Sequence, residues 1–78
     1  MDLDNLIVMA NQIGDFFASL PDHEEALHSI ADHIRKFWAP RMRVALLHSL
    51  DTPDSAALKP IVREALTLHR ADLEPATA

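Results

Sequence analysis

A chain of 78 residues has room for one domain, and seven Lys/Arg against twelve Asp/Glu leave it at −5. The absence of cysteine excludes a disulfide scaffold, a thiolate metal site and Cys-based nucleophilic catalysis, while a single glycine excludes a glycine-rich phosphate loop. A composition that is 49% apolar argues for a folded core over disorder, and no apolar run approaches the length needed to cross a membrane.

Four helical stretches are expected in chain order, with no strand-like alternation. The first covers about Asp4 to Ser19, where Leu3, Leu6, Ile7, Ala10, Ile13, Gly14 and Phe17 recur at the 3,4-spacing of one helical face. Met9, Phe16 and Leu20 add a second apolar strip beside it. A helix apolar over so much of its girth must meet more than one neighbour. Gly14 costs roughly 1 kcal/mol against alanine in a helix interior. Close approach of another helix over the Ile13–Phe17 surface would explain its presence.

Pro21-Asp22 closes that helix and opens the next. Asp22 is a favoured N-cap, Glu25 completes a capping-box pattern, and Glu24 and Glu25 suit the positive end of the helix dipole. Leu27, Ile30, Ile34 and Phe37 are the expected buried face, flanked by Ala26, Ala31 and Trp38. Proline at position 40 disfavours helix at Ala39 and is well suited to begin a new one. A short third helix is therefore expected from Pro40 to about Ser49, with Met42, Ala45, Leu46 and the following Leu50 inward.

Asp51-Thr52-Pro53-Asp54 reads as a turn, with Asp54 or Ser55 capping a fourth helix from about Ala56 to Ala71. That helix is expected to bury Leu58, Ile61, Val62, Ala65, Leu66 and Leu68. Pro60 near its start allows a separate first turn. Glu74 to Ala78 is expected to be a frayed tail. The fold class is all-α: a small orthogonal bundle of three to four short helices forming a single domain over residues 1–78.

Charge is uneven along this chain. Residues 1–25 hold six carboxylates and no Lys or Arg; residues 26–43 set Asp32 against Arg35, Lys36, Arg41 and Arg43; residues 44–78 return to −2. The basic island surrounds the single tryptophan in Phe37-Trp38-Ala39-Pro40-Arg41-Met42-Arg43. Trp, Arg and Met are the residue types enriched at binding hot spots, and an Arg fork can hold a partner carboxylate bidentately. The plainer reading of the same string is an indole plugging a helix corner beside solvated arginines.

Other chemistries fit poorly. His23, His28 and His33 are spaced by five residues, a rotation of about 140° each, whereas ligands on one helical face need i,i+3 or i,i+4. No Gly-x-Ser-x-Gly elbow accompanies the serines. The acidic balance opposes phosphate binding, so no nucleic-acid partner is expected. The acidic start Met1-Asp2-Leu3-Asp4 is unlike a signal peptide, and a cytoplasmic location is expected.

Read in order, Met9-Ala10-Asn11-Gln12-Ile13-Gly14-x-Phe16-Phe17, Pro21-Asp22, Ile30-Ala31-x-His33-Ile34, Phe37-Trp38-x-Pro40-Arg41-Met42-Arg43 and Leu58-Lys59-Pro60-Ile61-Val62 resemble the delta subunit of soluble NAD-dependent molybdenum- or tungsten-containing formate dehydrogenases. The resemblance implies a small, cofactor-free, non-catalytic subunit of a complex that oxidises formate to CO₂ with NAD reduction. It also implies an alpha subunit carrying bis-molybdopterin guanine dinucleotide and iron–sulfur clusters, with FMN, further clusters and the NAD site in beta and gamma subunits. The expected function is docking onto that complex, chiefly its alpha subunit. The expected anchor is Trp38, Pro40, Arg41, Met42 and Arg43 with Phe37, and the strip Met9, Asn11, Gln12 and Phe16 is a second candidate surface. Two alternatives stand beside it: an assembly chaperone for molybdenum-cofactor insertion, and a free-standing regulatory or nucleic-acid-binding bundle.

Overall fold

Local signals place the helix ends. In the computed structural model, which describes residues 2–75, Asp2 caps the first helix (α1, Leu3–Phe17) by accepting the Asp4 amide at 3.0 Å. Asp22 caps the second (α2, His23–Phe37), accepting from the Glu24 and Glu25 amides. Pro40 opens the third (α3, Pro40–Ser49), as its ring geometry dictates. Thr52 then caps a short 3-10 helix, Pro53–Ala57, so the separate turn allowed by Pro60 is present. The expected capping by Asp54 or Ser55 is corrected: Thr52 Oγ1 accepts the Asp54 amide.

The expected fourth helix divides into α4 (Pro60–Leu68) and the single turn α5 (Arg70–Leu73), because the backbone leaves helical geometry at His69 (φ −105°, ψ 20°). That break resets the apolar phase. Leu68, expected inward, is 62% exposed, and Leu73 is fully buried in its place. Glu74, placed in the expected frayed tail, donates its amide to the Arg70 carbonyl, and residues 76–78 lie outside the described residues. The second correction on burial is Phe37, which stands 72% exposed at the end of α2.

The result is an all-α bundle, with no strand among the described residues. Its radius of gyration of 11.5 Å is about what a chain of this length gives when fully compacted. The core joins Leu6, Ile7 and Ala10 of α1 to Leu27, Ile30 and Ile34 of α2, with Leu46, Leu58, Val62 and Leu66 closing it. The helix approaching Gly14 is α4: a Cβ at this position would overlap Val62 Cγ2 and touch Ile61 Cγ2. Two polar clamps hold the same seam. Asn11 accepts the Lys59 amide at 2.9 Å and donates to the Ala57 carbonyl at 3.0 Å, and Lys59 pairs with Asp15. The side chain of Asn11 thus caps α4, which has no cap from its own N-terminal residue.

Candidate docking groove

The surplus apolar strip of α1 defines the site. Leu6, Ile7, Ala10 and Gly14 satisfy the core, leaving Met9, Ile13, Phe16 and Phe17 on the adjoining face. Across from them α2 presents His33, and Trp38 follows at its C-terminus. Together with Gln12 these residues line an open groove of about 430 Å³, within the volume range of ligand and side-chain pockets.

An aromatic series bridges the two helices along this groove. Phe16 and Phe17 meet edge to face at 5.0 Å, Phe17 lies 6.2 Å from the His33 ring, and His33 lies 4.8 Å from Phe37. Phe16 is 74% exposed, so two phenyl groups, Phe16 and Phe37, stand in water at this end of the molecule. The lining contains no carboxylate, Lys or Arg; its polar members are Gln12 and His33.

Several expected anchor residues are placed differently. Trp38 is only 6% exposed and belongs to the core cluster, so its indole touches the groove from below and offers no free face. Its neighbour Met42 is likewise partly buried against that core. The Arg43 guanidinium is held inside the fold: Nε donates to the Leu73 carbonyl at 3.0 Å, and Nη1 donates to the carbonyls of Arg35 at 3.0 Å and Trp38 at 3.4 Å. The acceptors lie at the C-terminal ends of α2 and α5, where unpaired carbonyls and the helix dipoles favour a cation. The expected anchor is therefore corrected at Trp38 and Arg43, which serve packing within the fold. Asn11, assigned to the second strip, faces α4 as a clamp.

Pro40 and Arg41 are exposed and, with Val44, Ala45 and His48, border a shallow depression on α3. Arg41 has no hydrogen-bond or ion-pair partner among the described residues. Of the second strip, Met9, Gln12 and Phe16 do share the groove. Ile13 and Phe17, expected on the face that meets other helices, and His33, weighed only as a metal ligand, complete it together with Trp38. Their signal is the i,i+4 spacing of Met9-Ile13-Phe17 and of His33-Phe37, which becomes a shared surface only once α1 packs on α2.

Elsewhere, His28 and His69 stack edge to face at 5.7 Å, and His69 Nδ1 lies 3.7 Å from Asp72. His23 meets Glu64 at 2.8 Å on the surface. No group of three or more His, Asp or Glu among the described residues is arranged to hold a metal ion.

Residues 5–66 match the family model of the NADH-dependent formate dehydrogenase delta subunit, FdsD. The chain belongs to this family. No curated protein and no solved structure matches it. The matched span of this formate dehydrogenase delta-subunit family member runs from the first turn of α1 to Leu66 in α4. It contains every groove residue together with the exposed Phe37 and Arg41. The α5 turn lies beyond it, although Leu73 contributes to the core and its carbonyl holds Arg43.

Proposed function

We propose that the chain is a docking subunit without chemistry of its own, which binds and stabilises a cytoplasmic NAD-dependent formate dehydrogenase, chiefly through its alpha subunit. The observation that carries this reading is the α1/α2 groove: an apolar, aromatic-lined surface left unfilled by a chain whose family belongs to such a complex. Exposed apolar surface of this kind is costly in water, and two phenyl side chains more than 70% exposed are the feature a protein partner would cover. Formate oxidation needs redox groups, and this reading leaves them to the other subunits: the molybdenum or tungsten centre and iron–sulfur clusters in alpha, and FMN, further clusters and the NAD site in beta and gamma. Support on the side of this chain is the lack of any cysteine to ligate a cluster.

The test is co-expression of the affinity-tagged full chain with the formate dehydrogenase subunits. Stoichiometric recovery in a complex that reduces NAD with formate is expected. The reading fails if the active complex is recovered without this chain. Capture of the alpha subunit only before its molybdenum cofactor is loaded would assign the chain to assembly instead.

A further inference from the structure

The outward face of α3 belongs to the least acidic stretch of this chain. Between Asp32 and Asp51 there is no carboxylate, and α3 is the only helix among the described residues that contains none. Its start reinforces the charge: no side chain caps it and no acid lies in its first turn, so the positive end of its dipole is uncompensated. Arg41 stands at that start, exposed to solvent.

Most other cations are already occupied. Arg35 and Lys36 pair with Asp32, Lys59 with Asp15 and Arg70 with Asp51, while Arg43 is held by carbonyls. Arg63 is also unpaired among the described residues, but its depression on α4 contains the carboxylate of Glu64. Arg41 borders a depression with Pro40, Val44, Ala45 and His48, to which no carboxylate contributes.

A carboxylate on an exposed arginine contributes little by itself, because water screens both charges. The pair becomes stronger where a partner covers it against apolar surface, and α3 offers such surface one turn from Arg41, at the half-exposed Val44 and the half-buried Ala45. Val44 and His48 also line an adjoining depression that reaches Pro75, whose one acid, Glu74, is paired with Arg70. A phosphate chain would meet the arginine but leave the apolar side chains uncovered, and the net charge of −5 opposes it. The same charge opposes a second copy of this chain.

We infer that the outward face of α3 docks a carboxylate-bearing segment of a formate dehydrogenase subunit, with the carboxylate on Arg41 and a neighbouring apolar side chain over Val44 and Ala45. The inference rests on the docking reading and adds to the α1/α2 groove a second contact whose partner chemistry is set by charge.

The test replaces Val44 with the photo-crosslinker p-benzoylphenylalanine in the full chain, co-expressed with the formate dehydrogenase subunits. Irradiation of the purified complex should join position 44 to a subunit segment that has Asp or Glu within one helical turn of the crosslink, as read by mass spectrometry. A crosslink to a segment without a carboxylate, or to a second copy of the chain, overturns the inference. So does the absence of any crosslink in an assembled complex. In parallel, Arg41→Glu should lower recovery with the enzyme by about tenfold at low salt and by less at high salt. Changing the carboxylates beside the crosslink to Lys, one at a time, should include one change that restores recovery of Arg41→Glu. Such rescue separates a lost charge pair from a misfolded variant. Wild-type recovery of Arg41→Glu, or rescue by none of the Lys changes, overturns the α3 contact and leaves docking through the groove intact. Failure of the wild-type chain to accompany the enzyme overturns both readings.

Discussion

Arg43 serves two helices with one side chain. Its planar fork reaches carbonyls at the end of α2 and at the end of α5, so its positive charge lies where both helix dipoles are negative. Lysine has one nitrogen and cannot span the same acceptors in a fixed geometry. We expect Arg43→Lys to recover only part of the stability lost in Arg43→Ala. The alanine variant should lose about 2 kcal/mol in urea unfolding, in keeping with charged hydrogen bonds to otherwise unpaired carbonyls. A silent Arg43→Ala would mean that water replaces the guanidinium without cost. The residue scale also separates Trp38 from Phe37: adjacent in sequence, one is core and the other is largely in water, because Trp38 continues the spacing of four set by Ile30 and Ile34 on the buried face while Phe37 lies about 100° round the helix.

Among the elements, α1 and α4 approach closely at Gly14. Gly14 is there for space and not for conformation, since no positive φ occurs among the described residues. Alanine would gain roughly 1 kcal/mol in helix propensity, but its methyl would meet Val62, whose branched side chain is stiff in a helix. Gly14→Ala should therefore be destabilising by about 1–2 kcal/mol net, and Val62→Ala in the same chain should restore part of it in a double-mutant cycle. An additive pair would disprove the contact.

The helices with strong end signals were legible from sequence. Asp22 and Pro40 mark the starts of α2 and α3 by capping chemistry and ring geometry, which act locally. Periodicity puts Leu68 inward and passes over Leu73 because it assumes an unbroken helix, and nothing in the residues around His69 announces the break. The candidate groove is half legible for a related reason. The apolar excess of α1 is visible in its spacing, and so are Met9 and Phe16 as members of it. Which side chains of the basic island stay free depends on carbonyls supplied by α5, 30 residues away from Arg43.

For the whole molecule, surface ion pairs add a pH-dependent layer to stability. Hydrogen bonds from Lys36 and then Arg35 hold the Asp32 carboxyl below its ordinary range, and the Arg70 guanidinium does the same for Asp51. A carboxylate whose folded pKa is depressed adds stability above its unfolded pKa, and that contribution is lost as pH falls through the folded value. The urea midpoint should hold steady from pH 7 to about 5, then decline through and below the usual carboxylate range near pH 4. Asp51→Asn should flatten part of that decline, and added salt should shrink the difference because the groups are solvent-exposed. An unchanged slope in Asp51→Asn would remove that pair from the account.

The link from Arg43 to the Leu73 carbonyl has one more consequence. The α5 turn acts as a latch on the Trp38 corner, so a protease nick near Ala71 would loosen the floor beneath the aromatic groove without touching it. Damage to that one turn would then spread into the corner where α2 hands over to α3.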